Sequence, residues 1–562
     1  MQLIPLGDCA VLVVLKAKTS TLVLEAVTAL VRSLRAAPMA GVTDIVPAFT
    51  TVTVHYDPAD VAAGAGTGTA WERVAAWIKT IPVVRVSRRA KAKVVREVVV
   101  PVCYGGEQGP DLEAVAAHAK ISEAEAIRVH CKAVYQVAAV GFSPGFPYLL
   151  GLAPRLAMPR RATPRVQVPS GSVGIGGAHT GVYPTASPGG WSIIGRTPLR
   201  LFRPENEADP TLLKTGDSVK FVPATEKQAA QLQEKPVALT TSKVTKESAV
   251  FEVIKPGALT TVQDLGRLGH QHLGIPVGGA MDRLAARVAN ALLGNDENAP
   301  LLEAMASGPE LRFLRDTWIS VTGAEVAGVA GWRPWHVMAG QVVSLAVLQR
   351  GACAYLAVAG GLDIARVLGG TGTLLRAGIG GWNGRALQAG DRLAAHPGSL
   401  TTSGNWSASA EFRAVPSGGE VTVRFVKGPQ WTWFTATSRR ALLAQSFKIT
   451  ARSDRMGLRL EGPALTLEHT TELTSEGVGF GTIQVPPDGQ PIVLMADRQT
   501  IGGYPKIGHV IAVDLPRLAQ AGAGAVVHFQ EVSIGEAQDL YLKQEHSLAL
   551  FGTGVRAKLR TP

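Results

Sequence analysis

Cysteine is scarce in this sequence. Among its 562 residues the four cysteines are Cys9, Cys103, Cys131 and Cys353. They are scattered and none forms a C-x-x-C pair, so neither a structural zinc site nor a disulfide framework is expected. The twelve histidines show no metal-ligand spacing, and we expect His270 and His272 at surface or core positions. The sequence has no H-E-x-x-H or EF-hand pattern either, so it identifies no metal ligand.

Long apolar runs are also missing. No uncharged stretch approaches the roughly 20 residues of a membrane-spanning helix. Asp8 interrupts the short apolar N-terminus, which has no basic segment before it. We therefore expect neither a membrane anchor nor a secretory signal, and a cytoplasmic location.

Aromatic residues make up only 6% of the chain, although the net charge is +12. Nucleic-acid binding combines clustered basic residues with stacking aromatics. The densest basic run, Arg85–Arg96, is interpreted as a solvated linker. A basic balance also suits anionic small molecules such as nucleotides and carboxylates, which we expect as ligands in place of nucleic acid.

The length of the chain predicts several domains. Alternation of short strands and helices predicts a small α+β domain over residues 1–84, and the Gly- and Pro-rich strands that follow predict a barrel over residues 98–224. Residues 225–248 are polar and predict a linker. Two further units are expected over residues 249–395 and 420–545. The fold class is therefore mainly β with α+β.

Several elements can be predicted from local patterns. In the first domain we expect strands at Ala10–Leu15 and Thr51–Tyr56, with helices at Leu22–Leu34 and Ala70–Ile78. The opening Thr-Gly-Asp of residues 215–217 is echoed at residues 389–391 and again near residue 521. Each copy is a turn followed by a strand, which predicts a similar closing strand in several β units.

One helix of the third unit has clear boundaries. It is predicted over Arg283–Leu293, with Asp282 capping its N-terminus and Gly294 following its C-terminus. Its core stripe is apolar. Arg283, Arg287 and Asn290 fall on another face, and we expect that face to be solvated, because charged residues usually face water.

The segment from Pro169 to Pro184 is unusually rich in glycine. Glycine permits close approach of the backbone to a ligand, and successive backbone N–H groups can form an anion-binding concavity. We expect a ligand site here in preference to a plain barrel connection. The candidate residues are Gly171, Gly174, Gly176, Gly177, His179, Thr180 and Tyr183.

Three segments partly match known functional motifs but lack a residue or a structural context that the motif requires. Residues 141–145 match G-x-S-x-G, but the prolines that follow leave no helix, so Ser143 is not expected to be a nucleophile. Residues 176–181 have the glycine spacing of a P-loop but lack its lysine. Residues 303–306 resemble the attachment site of a biotin carrier without the lysine that carries biotin, so no covalent biotin is expected.

Two polar segments combine acids with cations. One runs from Asp497 to Lys506, and the other from Gln263 to Arg267. An arginine can bind carboxylate or phosphate bidentately, and a lysine can neutralise developing charge. The alternative is structural, such as an internal ion pair between Asp264 and Arg267.

These motifs resemble two of the components that make up 5-oxoprolinase. The first part of the chain resembles the B component, also known as the KipI or allophanate hydrolase subunit 1 family, at residues 100–107, 109–112, 141–149 and 169–191. The second part resembles the C component, the KipA or biotin-dependent carboxyltransferase-like family, at residues 256–267, 279–282, 289–290, 294–295, 453–457, 481–485 and 497–506. The resemblance covers nearly the whole chain, so the sequence resembles a natural B–C fusion.

The resemblance implies cyclophilin-like β-barrel domains after residue 98. It also implies ATP-dependent hydrolysis of 5-oxoproline to glutamate, with Mg²⁺ and a separate 5-oxoprolinase A component of the LamB/YcsF family. Biotin-dependent carboxyl transfer to urea or another amide is an alternative, and a regulator of a histidine kinase of the KipI/KipA type is another. Neither a membrane nor a nucleic acid is implied as a partner, and a homo-oligomer stays open.

Side-chain chemistry suggests roles for the candidates. A lactam is a stabilised amide, and transfer of a phosphoryl group from ATP to its oxygen would activate the carbonyl carbon toward water. Positioning and charge stabilisation would then supply most of the catalysis. We expect phosphate or substrate carboxylate to bind the glycine segment and Arg196. The residues expected to be catalytic are Asp282, Asp497, Lys506 and, as a proton donor, Tyr504. Those expected to bind substrate or nucleotide also include Asp264, Arg267 and Arg498.

Overall fold

The computed structural model describes residues 1–15, 19–64, 66–82, 96–234, 237, 244, 247–398, 406–416, 419–469 and 473–560. The predicted basic linker lies outside these residues up to residue 95. The predicted linker 225–248 lies outside them at residues 235, 236, 238–243, 245 and 246. No helix among the described residues is both long enough and apolar enough to cross a membrane.

The N-terminal unit packs helices on an antiparallel sheet, as expected. Ser20 accepts a hydrogen bond from the N–H of Val23 and starts the first helix, while Thr69 and Glu72 form a reciprocal capping box at the third. Apolar side chains of both helices pack on the sheet. The elements are β1 (Gln2–Pro5), β2 (Ala10–Val14), α1 (Thr21–Ala36), β3 (Val42–Ala48), β4 (Thr51–Tyr56), α2 (Pro58–Ala63) and α3 (Ala70–Thr80).

The next unit is a β-barrel with two helices against it. Its elements are β5 (Glu97–Tyr104), α4 (Leu112–His118), α5 (Glu123–Lys132), β6 (Tyr135–Val140), β7 (Pro147–Leu150), β8 (Arg165–Val168), β9 (Ser172–Gly176), β10 (His179–Val182), β11 (Ser187–Gly189), β12 (Ser192–Arg196) and β13 (Ser218–Pro223). The strand order β6-β13-β5-β12-β9-β10-β7 closes through pairing of β7 with β6. A bridge from Ala48 to Ala139 joins this barrel to the N-terminal sheet.

The predicted linker contains a helix. Thr225 and Gln228 form a capping box, and α6 (Glu226–Leu232) follows without a buried side chain. The polar composition of residues 225–248 hid this element, because a short exposed helix carries no apolar stripe. The predicted linker therefore begins with a short helix, and its role in joining two domains stays a prediction.

The third unit packs helix α7 beside two antiparallel sheets. Their orders are β20-β17-β14-β22 and β15-β16-β21-β18-β19. The elements are β14 (Ala249–Lys255), β15 (Leu259–Gln263), α7 (Arg283–Leu292), β16 (Leu301–Met305), β17 (Glu310–Phe313), β18 (Thr317–Val326), β19 (Pro334–Val337), β20 (Val342–Ser344), β21 (Leu348–Val358) and β22 (Arg392–Ala394).

The predicted boundaries of α7 hold, but its predicted solvated face is wrong. Asp282 accepts from the N–H of Ala285, and Gly294 has a φ of +71°. Asn290, however, is only 1% exposed and donates to the carbonyl of Ala299 at 2.8 Å. Arg287 pairs with Glu297 and, at 2.6 Å, with Glu545 of the last helix. This face is buried because the C-terminal helix packs on it.

The last unit is a closed barrel of seven strands, ordered β23-β30-β27-β28-β25-β24-β31. Its elements are β23 (Glu420–Lys427), α8 (Ala436–Ala444), β24 (Phe447–Ile449), β25 (Gly457–Glu461), β26 (Glu476–Gly477), β27 (Thr482–Gln484), β28 (Ile492–Leu494), β29 (Ile501–Gly502), β30 (Lys506–Val510), α9 (Leu515–Gln520), β31 (Val526–Glu531) and α10 (Ile534–Arg560). Helix α10 continues beyond residue 545, where we expected the unit to end.

The two barrels share one plan. In each, the first strand pairs in parallel with the last: β5 with β13, and β23 with β31. Strands β13, β22 and β31 each follow one of the three repeated turns seen in the sequence. The repeat therefore marks the closing strand of a unit, as predicted.

The N-terminal unit lies against the last barrel and its helix. Ala512 donates to the carboxylate of Asp8 at 3.0 Å, and Tyr541 of α10 donates to Asp57 at 3.0 Å. The Asp44 carboxylate accepts from the N–H of Gln271 at 2.5 Å, which links the N-terminal unit to the third unit. Three units therefore meet at one junction, and the polar residues described next lie around it.

Candidate functional site

A large cleft lies between the first barrel and the third unit. Its volume is about 1110 Å³. One wall carries Gly171, Arg196 and Arg200 from the first barrel, and the other carries the segment 378–384 from the third unit. Sites for small molecules and cofactors commonly enclose about 300–1,000 Å³. The cleft is therefore large enough for a nucleotide.

The glycine segment forms strands of the barrel. Residues 172–176 and 179–182 are β9 and β10, which pair as a hairpin. A Cβ on Gly176 would lie 2.5 Å from the ring of Trp191, so glycine is needed there for close packing. Gly174, Gly176 and Gly177 belong to this hairpin and do not line the cleft, so their role in ligand binding stays a prediction.

Only the edges of the segment reach the cleft. Gly171, with a φ of +81°, and Arg196 both line it, and Arg196 Nε donates to the carbonyl of Ser170 at 2.8 Å. The Arg196 side chain is exposed, so the rest of its guanidinium can meet a ligand. This part of the predicted phosphate or carboxylate site is thus open to the cleft.

The polar side chains of the segment are turned into the protein. Thr180 is fully buried and donates to the carbonyl of Gly174 at 2.9 Å. His179 lies against the ring of Phe49, with centroids 5.3 Å apart. Tyr183 is 2% exposed, and burial raises its pKa to about 12. All three side chains therefore contribute to packing at positions away from the cleft.

Arg267 supports the opposite wall from below. It is 1% exposed, and its Nη2 donates to the carbonyl of Gly372 at 2.5 Å while its Nε donates to that of Val367 at 3.4 Å. Gly380, which lines the cleft, lies directly over the same guanidinium. Burial lowers the pKa of Arg267, although Asp264 and Asp497 oppose that shift.

Asp264 fastens the same wall. Its carboxylate accepts from the N–H and the hydroxyl of Thr371 at 2.6 and 3.0 Å, and from the N–H of Gly266 at 2.8 Å. No ion pair within 4.0 Å joins it to Arg267 in the part of the chain that the structure describes. The alternative of a direct ion pair is therefore wrong, and the two residues position the segment through its backbone.

A buried arginine joins two carboxylates deeper in the junction. Arg455 donates to both oxygens of Asp497 at 2.9 Å, to Glu303, and to the carbonyl of Gly279 at 2.6 Å. Burial disfavours its charged form, but the two carboxylates outweigh burial and raise its pKa. Asp497, predicted as catalytic, thus has both oxygens engaged, which is an arrangement that fixes structure.

Asp282 lies in the same network. Its Oδ1 caps α7, and its Oδ2 accepts from Nε2 of Gln520 at 2.8 Å. Tyr355 accepts from the N–H of Asp282 and donates to Glu303, both at 2.8 Å. Burial raises the pKa of Asp282 to about 6. Asp282 is therefore a buried helix cap with a pKa close to neutral pH.

Lys506 and Tyr504 lie apart from this network. Lys506 is fully buried, and its Nζ donates to Glu476 at 2.8 Å, which also accepts from Nε2 of Gln430 at 2.9 Å. Tyr504 is 42% exposed. The pairing gives Lys506 a structural partner, and the catalytic roles of both residues stay predictions.

Arg498 lies where the network reaches the N-terminal unit. Its contacts are long, with Nη2 at 3.4 Å from Oε1 of Gln271 and Nη1 at 3.5 Å from the carbonyl of Met495. The ring of Phe480 lies 5.6 Å from its guanidinium carbon. Of the predicted residues, Asp264, Arg267, Asp282, Asp497 and Arg498 are therefore brought into one region.

Sequence reasoning missed several members of this region. Arg455 and Glu303 lie in segments whose local patterns indicate other features, and their pairing spans 152 residues. The glycines of segment 378–384, with the adjacent Trp382, were a visible signal of a second glycine-rich wall. Tyr355, Gln520, Phe480, Glu476 and Gln430 carry no local signal.

The metal and redox expectations can be compared with the described residues. Within them no group of three or more His, Cys, Asp or Glu side chains is arranged to hold a metal ion. The four cysteines are free thiols. Burial raises the pKa of Cys353 well above its usual value, so this thiol stays protonated.

Comparison with known proteins accounts for both halves. Residues 1–213 match the carboxyltransferase domain, subdomains C and D, and residues 273–531 match subdomains A and B of the same domain. The chain belongs to the carboxyltransferase-domain family. A solved structure, that of TTHA0988, is 33% identical, with a TM-score of 0.80 over 93% of this chain and 99% of that one.

Two curated relatives match the halves separately. The B component of 5-oxoprolinase from Bacillus subtilis is 43% identical over 40% of this chain and 94% of its own length. The C component of 5-oxoprolinase from Haemophilus influenzae is 39% identical over 53% of this chain and 96% of its own length. The urea amidolyase of Lachancea kluyveri is 29% identical over 55% of this chain, which spans 18% of that protein. These matches are consistent with a B–C fusion.

Proposed function

We propose that this chain is the fused B–C component of an ATP-dependent 5-oxoprolinase. With a separate A component of the LamB/YcsF family, it would open the lactam of 5-oxoproline to glutamate. One observation carries the proposal: consecutive parts of the chain match the B and the C components, each over more than nine-tenths of the relative's length. A fusion would keep the two in fixed contact, and the cleft lies between them.

The cleft is the proposed nucleotide site. Arg196 on one wall presents a guanidinium to phosphate oxygens, and the opposite glycine segment permits close approach of a ligand to the backbone. Trp382, which also lines the cleft, provides an aromatic face on which a base can stack. Arg267 and Asp264 hold the glycine segment in place from below, so they act as positioning residues in this proposal.

Mg²⁺ would enter with the nucleotide. This ion is commonly bound by one or two carboxylates together with substrate phosphates, and it keeps several waters. Asp363 and Glu234 line the cleft, so the donor set fits such a site. When bound, the ion neutralises phosphate charge. Asp363 is 47% exposed and lies 3.7 Å from His396, whereas Glu234 pairs with Arg203 at 2.6 Å.

The proposed chemistry follows from the stability of the lactam. The γ-phosphoryl group moves from ATP to the lactam oxygen, and the P–O bond to ADP breaks. Water then adds to the carbonyl carbon, the ring C–N bond breaks, and hydrolysis of the resulting acyl phosphate releases phosphate and glutamate. The barrier to ring opening falls because phosphorylation of the oxygen makes the carbonyl carbon more electrophilic toward water, and phosphate then leaves readily from the acyl phosphate in its hydrolysis by a second water. Tyr504 stays a candidate donor of the proton to the ring nitrogen.

Turnover tests the proposal directly. The purified chain is mixed with ATP, Mg²⁺ and 5-oxoproline, with and without a homologue of the A component, and glutamate and ADP are measured. We expect both products only when the partner is present. ADP without glutamate, or neither product with a folded and mixed pair, would contradict the proposal.

A second candidate is biotin-dependent carboxyl transfer, which the similarity to urea amidolyase favours. It would require a carrier protein and a biotin carboxylase from elsewhere. Urea, bicarbonate and a biotinylated carrier supplied to the same chain distinguish the two. Carboxylated urea without glutamate formation would favour this candidate over the lactam hydrolase.

A further inference from the structure

Two arginines at the junction of the three units contact one aromatic ring. The guanidinium carbons of Arg283 and Arg498 each lie 5.6 Å from the centroid of Phe480. Arg283 opens helix α7, while Phe480 and Arg498 come from the last barrel. We call Arg283, Arg498 and Phe480 the two-arginine site.

Among the described residues, neither arginine has a carboxylate partner. No ion pair within 4.0 Å in that part of the chain includes Arg283 or Arg498. The acid that precedes each arginine in sequence is engaged elsewhere: Asp497 has both oxygens bound by Arg455, and Asp282 accepts from Ala285 and Gln520. The Nε atoms of both arginines are buried and have no hydrogen-bond partner among the described residues. Each of the two guanidinium groups therefore has at least one buried N–H that donates to no described residue.

The surroundings compensate the two charges only in part, since Asp264 acts on Arg283 and Asp497 on Arg498 without an ion pair within 4.0 Å, and burial still lowers the pKa of both arginines. His55, 7% exposed, has an unpartnered Nε2, and burial followed by the charge of Arg498 lowers its pKa to about 4, so it is neutral. Cys9 interacts electrostatically with both arginines, but burial raises its pKa well above the usual value and keeps it a thiol. Burial and the charge of Arg283 lower the pKa of Arg498 to about 9.

A buried charge without a partner is costly, and here two like charges are close together. An anion between them would offset both costs, because guanidinium forks bind carboxylates bidentately. Arg283 and Phe480 are partly exposed, so such an anion can enter from solvent. Phe480 offers an apolar face to whatever carries the anionic group.

We propose that the two-arginine site binds the carboxylate of the lactam substrate, with the ring of that substrate against Phe480. This inference rests on the proposed function for the identity of the ligand. It assigns substrate selection to a composite site built from the third unit and the last barrel, with residues other than those that line the nucleotide cleft. His55 interacts electrostatically with Arg498, and Cys9 with both arginines, so the N-terminal unit also contributes to the surroundings of the site.

Binding and turnover test the site with different probes. The chain, with the A component present, is titrated calorimetrically with 5-oxoproline, with 2-pyrrolidinone, which is the same lactam without a carboxylate, and with inorganic phosphate. Arg498→Met and Arg283→Met are compared with Arg350→Met, an exposed arginine that pairs with Glu325 at 3.2 Å. Replacing a buried unpaired cation by an apolar side chain leaves folding intact.

We expect each test variant to weaken 5-oxoproline binding between about tenfold and a hundredfold, with the same rise in KM and little change in kcat. Arg350→Met should bind like the parent, and 2-pyrrolidinone should bind weakly and equally to all. Unchanged 5-oxoproline binding in both test variants would overturn the proposal, as would tight binding of phosphate together with none of 5-oxoproline.

The binding arm separates the two proposals. If no glutamate forms, but 5-oxoproline binds to the parent and binds more weakly to the Arg283→Met and Arg498→Met variants, the proposed function fails and the carboxylate site stands. If glutamate forms with an unchanged KM in both variants, the proposed function stands and the two-arginine site fails.

Discussion

Replacing Lys506 tests whether this buried cation is structural. Its Nζ is 2.8 Å from Glu476, and both side chains are buried. Lys506→Met removes the cation and leaves the carboxylate with one amide donor, that of Gln430. Breaking a buried pair in this way costs about 3–5 kcal/mol of folding free energy. We expect a loss of that size in the stability of the last barrel.

The double variant Lys506→Met with Glu476→Gln provides the matched control. The neutral amide can still accept from Gln430 and no longer needs a counter-ion, so at least half of the lost stability should return. Urea unfolding of the parent, the single and the double variant, followed by tryptophan fluorescence, measures this. The neighbouring Trp431 and Trp433 lie in the same barrel and report on it.

Two results would refute the reasoning. One is a loss below about 1 kcal/mol for Lys506→Met, since an exposed or weak pair costs no more. The other is a double variant as unstable as the single one. A folded double variant also separates structure from catalysis: if Lys506 is structural, glutamate formation with the A component continues, whereas abolished turnover would restore its catalytic assignment.

Three further predictions concern the first barrel and the cleft. Gly176→Ala should lower the free energy of unfolding by about 1–3 kcal/mol, because the added Cβ would lie 2.5 Å from the ring of Trp191. Gly554→Ala on the last helix is the control, since a Cβ there meets open space and should cost no stability. Thermal unfolding of the two variants compares them. Burial lowers the pKa of His130 to about 3, so the free energy of unfolding should be highest above pH 6.5 and should fall by up to about 1.4 kcal/mol per pH unit as pH decreases toward 3. Urea titrations of the parent and of His130→Gln at several pH values check this. Equal pH dependence in the two proteins would contradict it. Arg196→Met should weaken ATP binding about tenfold and leave stability unchanged, and calorimetry with ATP decides.

Local signals were enough for many of the elements. The helix boundaries at Asp282 and Gly294 depend on side-chain and backbone preferences within one turn, and the structure has both. The glycine-containing turn at residues 215–217, echoed at residues 389–391 and near residue 521, likewise predicted where closing strands begin. Such features need no knowledge of distant residues.

Long-range partners explain what could not be predicted. Asn290 was expected in solvent, but it is buried and donates to carbonyls of the loop that follows its helix. Arg455 pairs with Glu303 across 152 residues, a distance over which no pattern is visible. The glycine segment was ambiguous for another reason. Glycine permits close approach of either a ligand or a tryptophan ring, and the ring that lies against Gly176 is that of Trp191.

The candidate site was recovered as a region but not as a set of roles. Five predicted residues, Asp264, Arg267, Asp282, Asp497 and Arg498, lie around one junction. The three aspartates have their carboxylates engaged by neighbours. Arg267 and Arg498 each keep one buried nitrogen without a partner among the described residues, so contacts alone do not assign their roles, which stay predictions.

Transfer of oxygen from the lactam to phosphate tests the central claim most directly. 5-Oxoproline labelled with ¹⁸O at the ring carbonyl is turned over by the chain, the A component, ATP and Mg²⁺, and the released phosphate is analysed by mass spectrometry. If ATP phosphorylates the lactam oxygen and water cleaves the carbon side, the label appears in phosphate in proportion to glutamate. Unlabelled phosphate accompanying glutamate formation would contradict the account.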